Sequence, residues 1–199
     1  MAYLLSPSSV KFEWDLVTNF SLAINEKKVK GLPLVDSDLP LEVPIAGPFI
    51  LPDICQATLS FTFVSRQGRD GLERLAPGCI NFLNLNISAP AHMQPDKEYF
   101  LIDVTARAHS IDWLSSDTKV RQFPAPDGRE VIVLKGAITG PWTKVKVLTP
   151  EHPPIWREAD WEHDGKLYHK HKGDELLTDV AWGKLDKQFP GQLLPRKFG

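Results

Sequence analysis

The 199-residue sequence predicts an all-β, mainly antiparallel fold, either a β-barrel or a β-sandwich of at least seven strands. Three observations predict it. Apolar residues recur with a period of two in several separate stretches, which gathers them on one face of a pleated strand and would scatter them around a helix. Seventeen prolines disfavour long helices and suit short strands joined by loops. Turn signals separate the stretches, among them Pro124-Ala125-Pro126-Asp127-Gly128 and Asp164-Gly165.

The elements follow in order. From Val10 to Ile24 the even positions read Val, Phe, Trp, Leu, Thr, Phe, Leu, Ile, the pattern of a half-buried strand or of one that bends once. Lys27, Lys28 and Lys30 then read as a solvated turn. Five prolines between Gly31 and Pro52 make that stretch a long, mostly irregular excursion, and loops of such length are often functional. Ala57, Leu59, Phe61 and Phe63 alternate with Thr58, Ser60 and Thr62 as one strand. Gly68–Gly78 has room for one helical turn, with Asp70 as cap and Pro77 as stop.

Leu83, Leu85 and Ile87 mark another strand, and Phe100, Ile102, Val104, Ala106 and Ala108 mark the next. Each has one apolar and one polar face, as antiparallel sheets require. Val131–Leu134 is an unbroken apolar run, expected to be covered on both faces. Lys144 and Lys146 alternate with Val145 and Val147, which suits a sheet edge protected by outward lysines.

Beyond residue 150 the composition shifts. Residues 1–150 are expected to form the antiparallel core, with 151–199 a Pro- and Trp-rich segment packed on the same domain. That segment carries a hairpin, one short helix over Asp174–Lys187 with Asp174 as N-cap, and a tail.

Bulk properties exclude several classes. A net charge of −2 provides no basic face for nucleic acid and no polybasic membrane patch. No apolar run approaches the length of a membrane span, and Met1–Val10 does not read as a signal peptide. Cys55 and Cys79 begin two strands at opposite ends of a would-be ladder, too far apart to bridge, so a reducing, cytoplasmic setting is expected. Nucleotide-cradling loops, the Gly-x-Ser-x-Gly elbow and Cys-x-x-Cys are all missing from the sequence.

Chemistry-bearing side chains crowd in Ala159–His171. A two-residue loop at Asp164-Gly165 sets Trp161 opposite Tyr168, Asp160 opposite His169 and Glu158 opposite His171. One face then carries the aromatic pair, and the other sets carboxylates beside imidazoles. A carboxylate fixes an imidazole's tautomer and raises its basicity, so His169, Asp160, Glu158 and His171 are the candidate catalytic residues. His169, His171 and Glu158 also have the donor set of a two-histidine, one-carboxylate metal site, the single cofactor the sequence suggests. Ordinary solvated cross-strand pairs explain the same spacing.

Trp161, Tyr168, Trp142, Trp156 and His109 are the candidate ligand-binding residues, because amphipathic aromatics outside the strongest core pattern can line a pocket. The expected function is binding, with or without cofactor-free transformation, of an apolar or aromatic small molecule. Two alternatives are a self-associating β-sandwich subunit of a larger particle and a metal-dependent enzyme built on the 158–171 hairpin.

Overall fold

A computed structural model describes residues 2–7, 24, 26–28, 30, 32–39, 43–44, 51–57, 61–88, 97–136, 143–169 and 174–198. The strands of the first half are β1 (Ala2–Leu4), β2 (Val43–Pro44), β3 (Ile54–Ala57), β4 (Phe61–Ser65), β5 (Ile80–Leu85), β6 (Ile87–Ser88), β7 (Tyr99–Val104) and β8 (Arg107–Ala108). Those of the second half are β9 (Val120–Pro124), β10 (Glu130–Leu134), β11 (Ile155–Glu158), β12 (Trp161–His163), β13 (Lys166–Tyr168), β14 (Leu176–Thr178) and β15 (Lys197–Phe198). Helix α1 spans Arg66–Leu75 and helix α2 spans Asp179–Gln188. The chain is an all-β protein with short helices, and its strands form sandwich-like stacked sheets. No closed barrel forms among the described residues.

The order β3-β4-β7-β5 makes one antiparallel sheet. Its alternation is clean. Ile54, Val64, Phe100 and Ile102 enter one apolar cluster with Leu72 of α1 and Leu185 of α2. Cys55, Phe63, Leu83 and Leu101 enter a second cluster with Ile24, Leu34 and Leu51. A second sheet runs β15-β1-β14-β11-β8, so the first strand of the chain lies between two of the last. Ile155 and Leu177 of that sheet face the first cluster, and Trp156 and Leu176 face a third. Across the third cluster lie Ile132, Leu134 and Tyr168 of the sheet β12-β13-β10-β9. The middle sheet is therefore covered on both faces, and β11 is buried throughout.

Several sequence expectations are corrected. Ile24 has helical backbone, as do residues 26–28 and 30; the rest of the strand read over 10–24 lies outside the described residues. Ala57 pairs with Phe61 across a hairpin, so 57–63 is not one strand. Paired residues share a face, and a three-residue connection preserves the parity, which is why the alternation ran through the turn unbroken. Helix α1 starts at Arg66, capped by the Ser65 side chain accepting from Gly68 N–H, and has ten residues where one turn was expected.

Helix α2 begins at Asp179 with Thr178 as cap, because Leu176–Thr178 is spent on β14. The lysine-bearing stretch 143–148 makes one bridge, Val145 to Ile111, and no strand. In β10 only Ile132 and Leu134 are buried, with Val131 and Val133 half-buried. Lys28 is not solvated: it is 2% exposed. Both cysteines are free, as the spacing predicts.

Candidate functional site

The hairpin has the register the sequence predicts. Trp161 pairs with Tyr168, Glu162 with Leu167 and His163 with Lys166. Asp164 at φ 49° and Gly165 at φ 71° make the left-handed pair of a tight hairpin turn. On the aromatic face, Trp161 stacks on His163 with centroids 4.8 Å apart and leans on Tyr168 at 4.9 Å. The Lys146 ammonium lies 5.0 Å from the Trp161 ring centre. Tyr168 in turn packs against Trp113, so this face is anchored in the core. On the opposite face His169 Nδ1 lies 2.9 Å from Asp160 Oδ1, both half-buried.

Glu158 is corrected: it does not join that face. β11 belongs to the middle sheet, paired with β8, and the ladder breaks at Ala159–Asp160 before β12 begins in another sheet. The Glu158 carboxylate turns inward and accepts from Ser110 N–H, the Ser110 hydroxyl and Ile111 N–H. Burial pushes its pKa up, against those hydrogen bonds and the pull of His109. His109 itself is exposed at the end of β8. Trp156 is fully buried and meets His152 edge-on at 4.2 Å. Trp142 and His171 lie outside the described residues. Among the described residues no group of three His, Cys, Asp or Glu side chains is placed to hold a metal ion.

What sequence reading missed lies deeper. Arg157, wholly buried, donates through Nη1 to Asp103 Oδ1 at 2.7 Å and through Nη2 to Glu175 Oε1 at 3.2 Å. Glu175 also takes Lys28 Nζ at 3.0 Å and the Thr62 hydroxyl at 2.9 Å, and Asp103 accepts Leu34 N–H at 2.9 Å. Burial alone would push the Glu175 carboxyl up; the Lys28 and Arg157 charges outweigh it and hold the pKa down. The cluster ties Lys28 and Leu34 to β4, β7, β11 and the residue before β14. One sequence signal pointed there: Asp103 stands alone in the otherwise apolar run Phe100–Val104, and a buried charge needs a partner.

Two cavities matter for ligands. One, of about 490 Å³ at the start of α1, has mainly charged and polar walls: Arg66 pairs with Glu98, Lys97 and the Ser65 hydroxyl bond Asp53, and Asp70 and Arg74 also belong to the lining. The other, of about 470 Å³, lies between the 148–154 segment, the first turns of α2 and the last residue of α1. Its walls are Leu75, Leu148, Pro150, Pro154, Val180 and Ala181, with Thr149, His152, Thr178, Asp179 and Lys184 supplying polar groups.

Pro153 and Pro154 carry no N–H and hold the chain extended after a turn that His152 N–H closes onto Thr149 C=O. Thr178 N–H donates to Pro154 C=O, which fixes α2 against it. His152 Nδ1 contacts Pro153 C=O at 3.1 Å, while its Nε2 is buried without a hydrogen-bond partner. Val180, on the wall, stands 66% exposed, apolar surface that water covers at a cost.

No protein-family model matches this sequence, and no curated protein matches it. Among the described residues no helix is long and apolar enough to cross a membrane.

Proposed function

We propose that this protein binds an apolar or aromatic small molecule in the cleft between the 148–154 segment and α2. The observation that carries the reading is the cavity itself: about 470 Å³, apolar on most of its walls, with a few polar groups converging on it. Small-molecule sites typically measure about 300–1,000 Å³ and have that composition. The exposed Val180 on its wall supports the same reading, since a bound apolar molecule would remove it from water. Trp156 backs the cleft through His152 instead of touching the ligand, and Trp182 lies on the adjoining face of α2, stacked on Tyr3.

Calorimetric titration with 1-naphthol tests this. Wild type gives saturable one-site binding, and Val180→Asp, a change at an exposed wall position, weakens it at least about tenfold. Saturable binding that is equally tight in the variant contradicts the cleft as the site.

A second reading has one observation in its favour. Asp160 is placed to hold His169 in a fixed tautomer, the arrangement of a general base. Acid–base chemistry on the outer face of the hairpin is the function that pair supports.

A further inference from the structure

Resting on the cleft reading above, we infer that the molecule it takes carries a negative charge at one end: a hydrophobic carboxylate, aliphatic or aromatic, with its body in the cleft and its carboxylate at Lys184. Two charged side chains line this cavity, Asp179 and Lys184. They are not equivalent. Asp179 sits in the first turn of α2, where a carboxylate complements the helix's own dipole, and it accepts the Tyr3 hydroxyl. Its charge is therefore accounted for within the fold.

Lys184 has no such account. It is exposed and makes no ion pair among the described residues. It follows Val180 by four residues, so the two stand on one face of the helix, the apolar wall and the ammonium one turn apart. The lysine stem can lie along the apolar wall while its ammonium reaches the open end. Glu151, the nearest acid in the 148–154 segment, is exposed, is not part of the wall, and accepts the Thr149 hydroxyl. An apolar cleft whose lining includes one cation without an ion-pair partner among the described residues is complementary to an apolar body ending in an anion. A ligand amine would meet an aspartate already engaged and a like charge at Lys184.

Three probes of equal chain length separate the possibilities: decanoate, decanol and decylamine, titrated calorimetrically into the full chain near neutral pH. Wild type is expected to bind decanoate about five- to tenfold more tightly than decanol, the scale of one net hydrogen bond at a solvent-exposed site. Lys184→Gln abolishes the difference between decanoate and decanol measured on the same variant, while Lys184→Arg restores it. Added salt narrows it. Equal binding of decanoate and decanol in wild type, or tightest binding of decylamine, overturns the carboxylate inference and leaves the cleft reading standing. If none of the three binds, or if Val180→Asp changes none of them, the cleft reading falls and the inference with it.

Discussion

The hairpin and the buried cluster use the same residue types under opposite conditions. In the hairpin, Asp160 and His169 each keep about a third of their side chain in water, and Glu162 meets Arg129 with about half or more of each exposed. In the cluster, Arg157, Asp103, Glu175 and Lys28 are all within 3% of complete burial. Water screens the first set and each pair contributes little. The second set has only its own members for solvation, so each charge depends on the others. Crowding of charged residues along a sequence therefore says little about where charge matters. Position relative to the sheets decides it.

The largest effect that sharpens this contrast is expected for Arg157→Met. It removes the guanidinium that pairs with both Asp103 and Glu175 and leaves those carboxylates buried, at a cost of about 3–5 kcal/mol. Urea denaturation should show a large fall in midpoint, and a loss under 1 kcal/mol would mean the cluster is not held as described.

A smaller effect separates two buried glutamates by pH. Glu175 has a lower pKa in the folded protein than in the unfolded chain. Its contribution is present above the ordinary glutamate range and is lost as pH falls through its folded value. Glu158 has a higher one, so its contribution is present below that range and is lost as pH rises through its folded value. Between about pH 4 and about pH 7 the stability gap between wild type and Glu175→Gln should widen, and the gap to Glu158→Gln should narrow. Gaps that move together contradict the assignment. Smallest of all, Asp160→Asn should cost only about 0.2–1 kcal/mol in the same denaturation assay. A cost matching that of Arg157→Met would erase the distinction between the two regions.

Much of the sheet structure was legible in the sequence, because alternation reports a strand wherever one face is buried. The hairpin register was legible to the residue, since the Asp164-Gly165 turn admits few alternatives. Helix α1 was legible only as a single turn, because Gly68 and Gly71 are poor helix formers. They are there for contact: a Cβ on Gly68 would come within 2.3 Å of the Asp53 carbonyl oxygen, and one on Gly71 within 3.0 Å of the Phe189 ring. The break within 57–63 was hidden because Ala57 pairs with Phe61, a position of the same parity, so the alternation stays in phase. Glu158 was misplaced because period-two reasoning assumes one continuous strand, and the chain changes sheets at Ala159–Asp160. The cleft was illegible because its walls come from Leu75, from 148–154 and from 178–184, which only the tertiary fold brings together.

We propose that the ligand site is this cleft and not the hairpin. Amide chemical-shift mapping during a decanoate titration of the full chain tests it most directly. The account predicts saturable shifts concentrated at Leu148, Thr149, His152 and Thr178–Lys184, with Trp161–His169 left unmoved. Shifts concentrated on the hairpin, with the cleft silent, would contradict it.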